Sequence, residues 1–147
     1  MGETNFYSYM FAQSGTVAFD ELAEVVDLSN PESIQRAFES YLSDYNPPSD
    51  IKDDLLEEKF YLSTGEGDKG DENHIRYDMA IPGMQEEIDT EELKAYFEDF
   101  LDKIGAENNS ANRYGVDIDT REDERGGFDL DIYVVIKGNQ IDGKKNQ

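Results

Sequence analysis

Residues 114–137 read Y-G-V-D-I-D-T, then R-E-D-E-R-G-G, then F-D-L-D-I-Y-V-V-I-K. Both outer arms alternate apolar with polar residues, the period of strands that have one buried and one wet face. The charged middle, ending in Gly126-Gly127, is a turn. The stretch is therefore a β-hairpin. Val116, Ile118 and Thr120 share a face of the first arm, and Phe128, Leu130, Ile132, Val134 and Ile136 share one in the second. The opposite face gathers Asp117, Asp119, Asp129 and Asp131. Like charges facing one another destabilise a sheet, and a chain that only needs to fold more often mixes Lys or Thr into such a face. These four carboxylates are the first candidates for a binding role, with Tyr133 beside them as rigid contact area.

Upstream, residues 59–64 and 74–81 predict a second pair of strands, joined by G-E-G-D-K-G-D-E-N. Between the hairpins, Leu93, Tyr96, Phe97, Phe100, Leu101 and Ile104 recur at helical spacing. Asp89 with Glu92 three residues on reads as a capping box, and Gly105 as the glycine that closes the helix. Hairpin, helix, hairpin predicts a four-stranded antiparallel sheet with the helix across its apolar face.

Nearer the N-terminus, Asn30-Pro31 is a helix start, a capping side chain followed by Pro at the first helical position. Ile34, Ala37, Phe38, Tyr41, Leu42 and Tyr45 then form one stripe, which Asn46-Pro47-Pro48 ends. Residues 16–26 and 49–58 read as shorter helices, the second very acidic. The aromatic stretch 5–12 (N-F-Y-S-Y-M-F-A) reads as a strand that extends the sheet. Residues 138–147 are polar, lack a period, and are expected to fray. Strands and helices interleave without regular βαβ crossovers. The expected architecture is a single α+β domain over 1–147, with four to five antiparallel strands and helices packed on one face.

Charge narrows the function. Across 147 residues, 35 acids oppose 13 bases, a net charge of −22 at pH 7. The acids run the whole length instead of forming an acidic tail. Direct binding to nucleic acid or an anionic membrane needs a positive footprint, and this chain lacks one. Without cysteine there is no disulfide, thiolate metal site or Cys nucleophile. No apolar run is long enough to span a bilayer, and residues 1–11 lack the basic start and apolar core of a signal peptide. The expectation is a cytoplasmic protein.

Several constellations invite chemistry and fail on spacing. Residues 65–70 fit G-x-G-x-x-G, but that motif needs a helix to follow, and Glu66 and Asp68 would repel a phosphate. Asp68, Asp71, Glu72 and Asn73 do not follow the twelve-residue EF-hand order. His74, the only histidine, begins a strand without a nucleophile or acid placed to use it. The hairpin aspartates suggest a two-metal hydrolase, yet such a site must also hold an anionic substrate, which a charge of −22 opposes. The sequence assigns no catalytic residue, cofactor or metal.

Electrostatic recognition remains. Glu91, Glu98, Asp99 and Asp102 fall on the outward side of the helix after Asp89, where neighbours three and four apart lie about 5–6 Å from each other. Asp53 and Asp54 add to them from the acidic helix. B-DNA carries one charge per about 1.7 Å of axis, a density that several acidic elements together approach. In size and charge the chain resembles phage-encoded DNA-mimic inhibitors of restriction, CRISPR or DNA-repair enzymes, and immunity proteins that neutralise basic nuclease toxins. The resemblance is one of composition and size, so no residue role carries over. It implies a non-enzymatic protein in a host cytoplasm, docking on the basic nucleic-acid groove of an enzyme. The alternative is an acidic protein, halophilic or divalent-cation-binding, without a mimicry role.

Overall fold

The computed structural model describes residues 17–64 and 73–142. Four helices form the helical layer: α1 (Phe19–Ala23), α2 (Pro31–Asp44), α3 (Lys52–Leu56) and α4 (Thr90–Lys103). The sheet contains β1 (Tyr61–Thr64), β2 (Asn73–Met84), β3 (Asn112–Glu122) and β4 (Phe128–Gly138), and a 3₁₀ turn follows at Asn139–Ile141. The expected strand at 5–12 and the loop at 65–72 lie outside the described residues.

All strand pairs are antiparallel, in the order β1-β2-β4-β3. β4 is thus interior, and its alternate residues Leu130, Ile132, Val134 and Ile136 are all buried. β2 and β3 both run antiparallel to β4, hence parallel to each other, and α4 joins them. This is one split β-α-β crossover inside an otherwise hairpin-built sheet. Alternation alone does not contain it, because each arm of a hairpin offers the same pattern to a neighbour.

Helix ends follow local chemistry. Asn30 caps α2, its side chain accepting from Glu32 N at 3.0 Å. Asp89 Oδ1 accepts from Glu91 N and Glu92 N at 3.0 and 3.2 Å, satisfying two otherwise orphaned amides of α4. At the other end Gly105 takes φ +93°, Gly105 N bonds Asp102 O, and Ala106 N bonds Leu101 O. This pair of bonds is a Schellman closure, which needs the left-handed residue in the middle.

One core unites the layers. Phe38 of α2 lies 5.2–5.5 Å, centroid to centroid, from Phe60, Tyr77, Phe97 and Phe100. Tyr77 points inward from β2 and donates to Leu55 O of α3 at 2.7 Å, so even its hydroxyl is satisfied in the core. Gln35 accepts from Phe60 N at 2.9 Å and ties α2 to the start of β1. Because these contacts all meet the same sheet face, the four helices cover that face. Among the described residues no helix or strand covers the other.

Several expectations shift in extent. The helix expected at 49–58 spans only Lys52–Leu56, and the strand expected at 59–64 only Tyr61–Thr64. α1 stops at Ala23 instead of running to Val26; two adjacent β-branched residues disfavour helix, and Val25 is 72% exposed. β2 continues to Met84 through a register shift after Ile81, where Pro82-Gly83 interrupts pairing and Met84 regains it opposite Phe128. The polar end is ordered further than its composition suggests. Gly138 closes β4, Ile141 is buried, and the Gln140 side-chain amide donates to Glu107 O, Arg113 O and Lys137 O. Of the expected frayed tail 138–147, residues 138–142 therefore belong to the fold, and 143–147 lie outside the described residues.

Candidate functional site

The uncovered sheet face can be read row by row from the strand register. The first row crosses Ser63, His74, Lys137 and Arg113; the second crosses Tyr61, Arg76, Val135 and Gly115. The third is Asp78, Tyr133, Asp117, the fourth Ala80, Asp131, Asp119, and Asp129 faces Arg121 beyond them. Asp117, Asp119, Asp129 and Asp131 thus share one face, as their spacing predicts. Tyr133 stands between Asp78 and Asp117. Only Asp119 and Asp131 are direct cross-strand partners.

Bases interleave with them. Arg121 lies 3.3 Å from Asp131 and 3.9 Å from Asp129. Arg76 pairs with Asp78 at 3.0 Å and lies 5.1 Å from the Tyr133 ring centroid. Tyr61 donates to Asp78 at 2.7 Å, a bond that pushes the Tyr61 hydroxyl above its ordinary pKa. Asp129 also accepts from Gly83 N at 3.0 Å, so it holds the β2 irregularity in place. A cavity of about 500 Å³ opens on this face, lined by Glu58, Asp78, Ala80, Asp117, Asp119, Asp131 and Tyr133 among others. Glu58 and Asp78 were not among the residues the sequence singled out. Asp78 sits at an outward position of β2, but only the β2–β4 pairing brings it beside Tyr133.

The remaining acidic candidates lie in the helical layer, away from the uncovered face. Asp99 and Asp102 have structural partners there. Asp99 Oδ2 accepts from Tyr41 at 2.7 Å and Oδ1 from Lys103 at 3.2 Å. Asp102 accepts from Tyr114 at 2.5 Å. The bond to Asp102, with partial burial, pushes the Tyr114 hydroxyl up to about 12. Burial first, then the bond to Asp99, raises Tyr41 far above the usual phenol range. Asp53 and Glu91 are exposed, and Asp54 and Glu98 are partly so.

The charge is unequal between the two sides. Residues 17–60 and 85–111, which make up the helices and their connections, hold 21 acids against 5 bases, a net of −16. The uncovered sheet face holds Asp78, Asp117, Asp119, Asp129 and Asp131 against Arg76, Arg113, Arg121 and Lys137, a net of −1. The helical segments thus carry most of the net charge, while Glu122, Asp123, Glu124 and Asp142 against Arg125 add a further −3 in the β3–β4 turn and after β4. Among the described residues, no group of three or more His, Asp or Glu side chains is arranged to hold a metal ion. No helix among them is long and apolar enough to cross a membrane. The chain matches no protein-family model, curated protein or solved structure in comparisons of sequence and fold.

Proposed function

We propose that this is a non-enzymatic binding protein that docks on a basic surface, acting as a nucleic-acid mimic. The partner is a nuclease or other DNA- or RNA-handling enzyme, in the manner of a phage anti-defence protein or a toxin-immunity protein, and the setting is the cytoplasm. The observation that carries this reading is the net −16 on the helical layer against −1 on the open sheet face. A hydration coat has no reason to spare one face, whereas a docking surface concentrates its charge.

Within the layer, Asp53, Asp54, Glu91 and Glu98 are the phosphate surrogates best suited to a test, because Asp99 and Asp102 also hold Tyr41 and Tyr114. The hairpin aspartates and Tyr133 lie on the opposite, nearly balanced face and stand outside this docking surface. Association is fast and salt-sensitive, since dispersed charge steers encounter more than it fixes affinity.

The experiment is displacement of a labelled duplex from basic nucleic-acid enzymes, namely restriction, CRISPR and repair enzymes and nuclease toxins, at low and high salt. The expected result is competition that weakens as salt rises, and weakens again in the variant carrying Asp53→Asn, Asp54→Asn, Glu91→Gln and Glu98→Gln. Displacement of none of these enzymes, or displacement indifferent to salt and to the four changes, rejects the proposal.

A further inference from the structure

The uncovered sheet face carries nearly balanced charge. Apart from Arg121, which lies at the acidic end against Asp131 and Asp129, the bases sit toward one end of the strands and the acids toward the other. At one end Lys137 and Arg113 are neighbours across β4 and β3, with Arg76 one row inward. At the other end come Asp78 and Asp117, then Asp131 and Asp119. Neither Lys137 nor Arg113 makes an ion pair among the described residues. A face polarised in this way fits a surface with the reverse order of charge, and the same face on a second copy supplies it.

We infer that two copies of this chain dimerise face to face through their open sheets. Consider a twofold axis between the sheets, crossing the strands between the Val135 and Tyr133 rows. Each strand then lies over its own copy, running the opposite way. Arg76 comes over the second copy's Asp78, Lys137 over its Asp131, and Arg113 over its Asp119. Val135 meets Tyr133. Each contact occurs twice, as an isologous interface requires. The axis in the other in-plane direction sets the bases over bases, so the charge pattern chooses one packing. Sheets stacked in near-aligned fashion lie about 10 Å apart, a gap that Arg and Lys side chains bridge. The 500 Å³ cavity lined by Asp78, Asp117, Asp119, Asp131 and Tyr133 then receives the second copy's basic end. Long-range repulsion between two chains of −22 opposes any association, and it is least at this face because the helical layers point apart. The proposal concerns the face opposite the acidic layer and stands independently of the proposed partner.

The test is sedimentation of the full chain over a range of concentrations at physiological ionic strength, with the variants Lys137→Glu, Asp131→Lys and the two combined. The expected result is a dimer whose dissociation constant rises roughly a hundredfold in each single variant, since like charges brought together at an interface cost several kcal/mol. The combined variant restores the dimer by exchanging the two signs. Arg113→Glu with Asp119→Arg is a second exchange on exposed positions, used if either change at 137 or 131 disturbs the fold by circular dichroism. A monomer at every concentration overturns the proposal and leaves the face to another occupant. A dimer that ignores the reversals, or one that the exchanges fail to restore, overturns it equally.

Discussion

Asp119 and Asp131 stand directly opposite one another on β3 and β4, and it is the neighbouring Arg121, 3.3 Å from Asp131, that relieves the pair. The relief is partial, because Arg121 is 64% exposed and also reaches toward Asp129. Like charges directly opposed across a ladder cost up to about 1 kcal/mol relative to neutral pairs.

Asp119→Thr is therefore expected to stabilise the isolated protein by about 0.5 kcal/mol, from lost repulsion and better strand propensity. The gain should shrink as salt screens the pair. Urea denaturation at low protein concentration, in dilute and in half-molar salt, measures both. A loss of stability would mean that Asp119 makes a structural contact in solution.

Tyr41 presents a different balance. Its ring lies in the core between Phe19, Tyr45, Tyr96 and Phe100, while its hydroxyl meets Tyr96 O at 3.1 Å and Asp99 at 2.7 Å. Tyr41→Phe keeps the packing and removes the donor. A hydrogen bond to a charged acceptor contributes roughly 1.5–3 kcal/mol, and Asp99 retains Lys103, so a loss of about 1.5 kcal/mol is expected. The denaturation midpoint should fall without a change in the slope of stability against urea.

Much of this architecture is legible in the chain because its signals are local. Alternation gives the faces of β4, and the 3.6-residue period gives the buried stripe of α4, with Leu93, Phe97, Phe100 and Leu101 inside. Asn30, Asp89 and Gly105 mark helix ends through bonds to atoms two to five residues away. What escapes a local reading depends on strand order. Nothing in residues 128–138 says that β4, instead of β3, lies beside β2, and that choice brings Asp78 and Arg76 to Tyr133. The same choice divides the acids between layers. The order of 138–142 escapes for a second reason: Gln140 acts through side-chain bonds to distant carbonyls, which carry no periodicity.

Gly138 tests how tightly that end is fitted. It takes φ +101°, and a Cβ there would lie 2.4 Å from Ala111 O and 2.7 Å from Asn112 Cα. Both neighbours are backbone, so they cannot swing aside. Gly138→Ala combines left-handed strain of about 1–3 kcal/mol with this clash, and a destabilisation of at least about 3 kcal/mol is expected. Thermal unfolding measures the loss. Gly105→Ala, at φ +93° with nothing within 4 Å of its Cβ, isolates the conformational part and should cost distinctly less.

Alkaline pH should expose the tyrosine–carboxylate bonds. A phenol whose pKa is higher in the folded than in the unfolded chain stabilises the fold fully below the unfolded value near 10. That contribution is lost as pH rises toward the folded value, because the unfolded chain then gives up protons that the folded chain still holds. For Tyr114 the window runs from about 10 to about 12, set first by its bond to Asp102. Tyr41, Tyr77 and Tyr96 are raised as well, each chiefly by burial. Stability should therefore hold level through neutral pH and fall above pH 10. Tyr114→Phe removes one titrating group, so its stability should fall less steeply across this range than that of the unaltered chain. Asp102→Asn weakens the bond that raises the Tyr114 pKa, so tyrosinate absorbance should show one phenol ionising at lower pH while the protein remains folded. An unchanged titration in Asp102→Asn would show that burial, and not Asp102, governs this hydroxyl.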